Sequence, residues 1–224
     1  MKNDLFSIGP FTVHGYGLMI AIGVLSAYYM VEYRAKKKQM DWEKVFPLTV
    51  WSVLGGFLGS KILYLLTRLP DILANPALLG SSIKDGFVVY GGIIGGILTA
   101  WIYCKCTKWN FWKIFDIAMP AVAMAQGFGR IGCLLAGCCY GIELDPANPI
   151  GIVFHNSAYA PNDVALLPTQ IISSVLDFAN CFVLLALSKK LKTDGQVASC
   201  YLIFYSIGRF VLEYFRGDLI RGNI

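Results

Sequence analysis

Residues 114–137 read IFDIAMPAVAMAQGFGRIGCLLAG. Asp116 and Arg130 are the only charged side chains in this run. An α-helix needs about 20 predominantly apolar residues to cross a hydrocarbon core, and the run is that long. A barrel strand would be about half the length and would alternate in and out with a period of two, which this stretch does not. It reads as a membrane-spanning helix, with Pro120 either kinking it or lying near its beginning. Five further segments of comparable length flank it: 16–33, 47–66, 86–104, 169–188 and 196–215. The expected fold is all-α, a polytopic transmembrane helix bundle of about six spans, formed by residues 1–224 as a single integral membrane domain. No seventh span is expected after Ile224.

Composition agrees. The chain of 224 residues is 56% hydrophobic and 15% charged, against about 45–50% and 25% for soluble domains. Its mean hydropathy is +0.59. These values exclude disorder, collagen and a soluble globule. The net charge of +5 does not form a nucleic-acid footprint, because the basic residues gather in short patches between apolar runs. One patch is Arg34, Lys36, Lys37, Lys38 and Lys44; the next is Lys105, Lys108 and Lys113; the third is Lys189, Lys190 and Lys192. They follow the first, third and fifth spans, so the positive-inside rule makes that side cytoplasmic and puts the N-terminus outside. Lys2 makes a weak n-region, so no cleavable signal is expected and the first span is retained. Internal repeats of the transporter kind are not evident.

The longest connection, about 138–166, lies on the outer side and carries Asp145, Pro146, Asn148, Pro149 and Pro161, with Pro168 just beyond. That length suits a lid or binding segment better than a plain connector. Two glycine clusters, Gly55, Gly56 and Gly59, then Gly91, Gly92, Gly95 and Gly96, suit close helix packing. The second follows a turn-like Asp85-Gly86 and also suits room for a lipid headgroup.

Ionisable residues within spans point to function by default. Here they are Lys61, Asp116, Arg130, Asp177, Arg209, Glu213 and Arg216. Asp116 and Arg216 lie near span ends and read equally as interfacial. Arg130 sits among small residues that admit a bulky partner. Arg209, Glu213 and Arg216 share one helix face by spacing. Guanidinium groups match phosphate oxygens bidentately, so two buried arginines would make a phosphate clamp. The alternative is a structural arginine–glutamate pair between helices, with Glu213 as the partner.

These residues also carry a resemblance. Gly127-Phe128-Gly129-Arg130-Ile131-Gly132, followed by Ala136-Gly137 and Tyr140-Gly141, resembles the signature of the phosphatidylglycerol–prolipoprotein diacylglyceryl transferases. His14-Gly15-Tyr16-Gly17-Leu18-Met19, Gly59-Ser60-Lys61-Ile62-Leu63-Tyr64, Gly91-Gly92-Ile93-Ile94-Gly95, Pro168-Thr169-Gln170 and Arg209-Phe210-Val211-Leu212-Glu213-Tyr214-Phe215-Arg216 resemble other motifs of that family, in the same order. The resemblance implies transfer of a diacylglyceryl group from phosphatidylglycerol, or a related anionic phospholipid, to the lipobox cysteine of a prolipoprotein, releasing glycerol 1-phosphate. It implies Arg130, Arg209 and Tyr90 as the catalytic set, and Tyr16, Arg130, Glu213, Lys61 and His14 as the substrate-binding set. It also implies a bacterial plasma membrane enzyme working towards the outer leaflet, with no cofactor and no metal.

The sequence departs from the family where acceptor activation is expected. Tyr90 stands where the family has a histidine, and a phenol, titrating near pH ~10, is a poor base at neutral pH. Leu167 replaces a second histidine, Lys61 an arginine and Cys133 an asparagine. His14 and His155 are the histidines left; His14 serves as a base or an interfacial hydrogen-bonding group, and His155 as a solvated loop residue. The seven cysteines have no secreted-scaffold spacing. Cys104 and Cys106 are too sparse for zinc, and Cys104, Cys106, Cys181 and Cys200 read as packing or cytoplasmic thiols. Cys133, Cys138 and Cys139 read as small packing residues with an incidental or oxidised vicinal pair, or as a nucleophile or redox thiol. No metal cluster is expected. The competing readings are a divergent homologue with another acceptor and a non-catalytic phospholipid-binding membrane protein.

Overall fold

The computed structural model describes residues 4–8, 11–75, 80 and 86–217; Asp85, half of the expected Asp-Gly turn, lies outside them. Strands β1 (Asp4–Ile8) and β2 (Phe11–His14) form an antiparallel hairpin. Helix α1 (Gly15–Lys37) follows, then a 3-10 turn at Trp42–Lys44, α2 (Val45–Thr67), α3 (Leu69–Ala74), α4 (Val89–Cys106) and α5 (Phe111–Ala136). Beyond a long connection holding β3 (Ile152–Val153) and β4 (Ala165–Leu166) come α6 (Thr169–Leu187) and α7 (Gln196–Glu213). Among the described residues, five helices are long and apolar enough to span a membrane: Gly15–Lys37, Trp42–Thr67, Val89–Cys106, Phe111–Ala136 and Thr169–Leu187. The sixth expected segment is helical over 18 residues, but Arg209, Glu213 and its tyrosines leave it less apolar than the other five.

Packing divides the chain into two compact units, 1–31 with 115–224, and 32–114. In the second unit, α2 and α4 meet through glycine. A Cβ on Gly59 would fall on the carbonyl oxygen of Gly91 and 3.0 Å from Gly95 Cα, and one on Gly95 would fall on the carbonyl of Gly55. A Cβ on Gly92 would lie 2.5 Å from Ser60 Oγ. Both glycine clusters are therefore filled by the opposing helix, the small-residue packing by which helices approach in lipid. Their outward faces, including Phe57, Leu58, Ile62, Ile93 and Ile94, are exposed apolar surface of the kind lipid covers.

In the first unit, Met119, Ala123, Cys181, Leu184, Val197, Ala198 and Tyr201 form the apolar core between α5, α6 and α7. Asp116, buried on α5, anchors the start of α7. Its Oδ2 accepts from Gly195 N–H and its Oδ1 from Ala198 N–H, each at 2.8 Å. It thus satisfies donors that helix geometry leaves orphaned, and favours the positive end of the helix dipole. Asp116→Ala is expected to cost about 2 kcal/mol, the upper range for a lost helix cap, measured as a lower unfolding midpoint in detergent. An unchanged midpoint would show the contacts to be idle.

The long connection is structured. Gly141 N–H donates to Leu167 O at 3.0 Å, Ile142 N–H to Phe215 O at 3.0 Å and Gly217 N–H to Tyr140 O at 3.1 Å. Phe154, Ala160 and Leu166 form its own small core. The segment is tied to the end of α7 and to the start of α6 rather than looping free.

Candidate functional site

The glycine-flanked arginine lies in the last third of α5, where small residues admit close neighbours. A Cβ on Gly127 would lie 2.7 Å from the ring of Phe178 on α6, and the Gly127 carbonyl accepts from Ser174 Oγ at 2.9 Å. Those contacts register α6 against α5 and bring Arg130 Nε to 3.9 Å from Asp177 Oδ2. Asp177 is 7% exposed. The partner of Arg130 is therefore Asp177, not the Glu213 named as the structural alternative. Glu213 instead pairs with Arg209 one turn earlier on α7.

Arg130, Ser173, Asp177, Asn180, Tyr205 and Arg209 line one cleft between α5, α6 and α7. Arg130 and Arg209 thus share a single opening, with Asp177 in its lining. Gly208 lies on the wall, and a Cβ there would meet nothing within 4 Å, so its absent side chain leaves open space. Asn180 Oδ1 is buried without a hydrogen-bond partner, an acceptor able to receive a hydroxyl donor from a ligand. The arrangement suits an anion that carries hydroxyl groups and an apolar tail.

Tyr16, at the start of α1, lies across the same end of α5. A Cβ on Gly132 would sit 3.2 Å from Tyr16 Cδ2. His14 ends β2 and is exposed. Lys61 and Tyr90 belong to the other unit. Lys61 Nζ donates to Gly86 O at 3.1 Å and stands 4.7 Å from the Phe87 ring and 5.3 Å from that of Tyr64. Tyr90, in the first turn of α4, has an exposed ring.

At the end of α5 the fold assembles a group that spacing did not reveal. The sulfur atoms of Cys133, Cys138 and Cys139 all lie within 4.8 Å of one another, where no metal-type cluster was expected. Gln170 Nε2 donates to Cys138 O and Thr169 Oγ1 to Cys139 O, each at 2.8 Å. The Pro168-Thr169-Gln170 motif thus supports this turn. The Cys139 thiol is held below the ordinary thiol range by hydrogen bonding from Cys133 and Cys138, with the guanidinium groups of Arg216 and Arg130 adding to it.

A family model described as prolipoprotein diacylglyceryl transferase matches residues 3–224. A phosphatidylglycerol–prolipoprotein diacylglyceryl transferase of Clostridium tetani is 44% identical over 225 residues, covering 100% of this chain and 88% of that protein. A second, from Clostridium perfringens, is 43% identical over 224 residues, covering 100% and 86%. One from Staphylococcus carnosus is 32% identical over 226 residues, covering 98% and 81%.

Proposed function

The chain belongs to the prolipoprotein diacylglyceryl transferase family, and from that premise we propose that it transfers the diacylglyceryl group of phosphatidylglycerol to the lipobox cysteine of a prolipoprotein, releasing glycerol 1-phosphate. The observation that carries this reading is the cleft on which Arg130 and Arg209 converge. In the reaction the acceptor thiolate attacks the glycerol carbon that bears the phosphate. A carbon–sulfur bond forms, the carbon–oxygen bond breaks, and the bonding pair leaves on the phosphate oxygen. Charge therefore grows on the departing phosphate, and donors placed to receive it lower the barrier.

In this reading Arg130 grips the phosphate and Arg209, steadied by Glu213, stabilises it as it leaves. Asp177 holds Arg130 in place, and Asn180 accepts from a headgroup hydroxyl. Tyr16 covers the headgroup, and His14 and Lys61 complete the substrate-binding set. The enzyme works in the bacterial plasma membrane with its site towards the outer leaflet, the N-terminus outside and α7 serving as the sixth span. The basic patches following α1, α4 and α6 support that orientation.

Tyr90 completes the catalytic set. A phenol there serves as a hydrogen-bond partner of the acceptor more readily than as its base. Tyr90→Phe is expected to lower turnover about tenfold, the effect of one hydrogen bond to a charged group. Turnover equal to the parent removes Tyr90 from the set. The overall reading is tested by incubating purified protein with phosphatidylglycerol and a lipobox peptide and weighing the peptide. A gain of one diacylglyceryl group is expected. An unmodified peptide, beside an active relative, rejects the reading.

A further inference from the structure

Cys133, Cys138 and Cys139 are more than three small side chains near one another. Their spacing, four residues and then none, runs off the end of α5 into a turn where Cys138 N–H donates to Cys133 O at 3.1 Å. Cys139 then adopts φ 60°, a left-handed conformation that non-glycine residues seldom take. Gly137, at φ +73°, reverses the chain at the helix terminus before the vicinal pair, and the carbonyls of Cys138 and Cys139 accept from Gln170 and Thr169.

A divalent ion with metal–sulfur bonds of about 2.3 Å requires sulfurs about 3.8 Å apart in a tetrahedron. Sulfurs within 4.8 Å of one another reach that spacing by small side-chain rotations. Three thiolates around a divalent cation leave one net negative charge. Among the described residues no further His, Cys, Asp or Glu joins the group. Three protein ligands with a fourth position free is the pattern of a zinc site that binds a reactant.

We propose that Cys133, Cys138 and Cys139 hold a soft divalent metal ion of the zinc type, and that its fourth position takes the acceptor thiol as a thiolate. The second half rests on the transferase reading. The acceptor S–H gives its proton to solvent, a metal–sulfur bond forms and a metal–water bond breaks; no electron is transferred. A coordinated thiol is deprotonated outright at neutral pH, which is the activation that neither Tyr90 nor Leu167 supplies.

The test uses cobalt(II) as the probe, titrated into the reduced full-length protein in detergent and read by sulfur-to-cobalt charge-transfer absorption. One equivalent is expected to bind. Cys133→Ser, Cys138→Ser and Cys139→Ser should each weaken it about 100-fold, by analogy with the loss of a site's supporting groups, while Cys200→Ser leaves it intact. Helical circular dichroism and the unfolding midpoint of each variant separate ligand loss from misfolding, and a misfolded serine variant is replaced by the alanine one. A lipobox peptide should intensify the cobalt band, and the same peptide with serine for cysteine should not. No cobalt band in the reduced protein, or a band that survives Cys139→Ser, overturns the site. A peptide without effect on the band, or full transfer after exhaustive chelation, overturns the role in acceptor activation. Failure of the transferase reading would look different: cobalt bound through the three cysteines, with no diacylglyceryl group on the peptide.

Discussion

Arg130→Ala is expected to lower kcat/KM for diacylglyceryl transfer by about 10³-fold, while the protein still inserts and elutes as the parent does. Removing one preorganised donor from a developing oxyanion costs about 10²–10³ in rate, and Arg130 offers two donors on one planar group. Arg130→Lys keeps the charge and loses the fork, so an intermediate loss of about tenfold to 100-fold is expected. The competing account is purely structural. Asp177 is 7% exposed and faces Arg130 at 3.9 Å, so removing the arginine strands a carboxylate, which in buried pairs costs about 3–5 kcal/mol. The double variant Arg130→Ala with Asp177→Asn separates the two. It should recover most of the lost unfolding midpoint and none of the lost transfer. Transfer returning with stability would make Arg130 a scaffold residue and dismantle the phosphate clamp.

Five of the six expected spans were legible because hydrocarbon thickness leaves a signal in length and apolarity. The segment read as 169–188 is the helix Thr169–Leu187, and 114–137 is Phe111–Ala136. The span read from residue 86 begins at Val89, because Gly86 takes φ +79° and Val88 N–H donates to Ser60 O on α2 at 3.2 Å. That turn is set by a tertiary contact, which hydropathy does not record. The two hairpin-like pairs, Asp4–Ile8 with Phe11–His14 and Ile152–Val153 with Ala165–Leu166, are too short for any period to emerge.

The site was legible in its cations and obscure in their partners. Arg130 and Arg209 were singled out because charge in a span is costly, and they line the same cleft. Asp177 was visible as an ionisable residue within a span, yet nothing in its spacing paired it with Arg130 rather than Glu213. Helix register decides that, through Gly127, Phe178 and Ser174. Asp116 was read by its position near a span end; its two backbone contacts belong to α7, far away in sequence. The convergence of Cys133 with Cys138 and Cys139 depends on a turn with left-handed residues at Gly137 and Cys139, and no cysteine-spacing rule contains it.

Gly59→Val is expected to have the largest effect on folding. At Gly59 the α2–α4 contact has no side chain to yield: a Cβ there falls on the Gly91 carbonyl oxygen and 3.0 Å from Gly95 Cα. Both obstacles are backbone, so the helices must separate along their length, and Gly91 and Gly95 lose their partners together. Overpacking in a core costs about 1–3 kcal/mol when side chains can shift; here a loss of at least about 3 kcal/mol is expected, seen as a sharply lower unfolding midpoint or a failure to recover folded protein. Gly208→Ala is the opposing case. No atom lies within 4 Å of its added Cβ, and alanine in a helix interior is favoured over glycine by about 1 kcal/mol. Its midpoint should hold or rise, while transfer falls if the methyl intrudes on the cleft beside Arg209. A Gly59→Val midpoint equal to that of the parent would mean that α2 and α4 are not held by glycine contact at all.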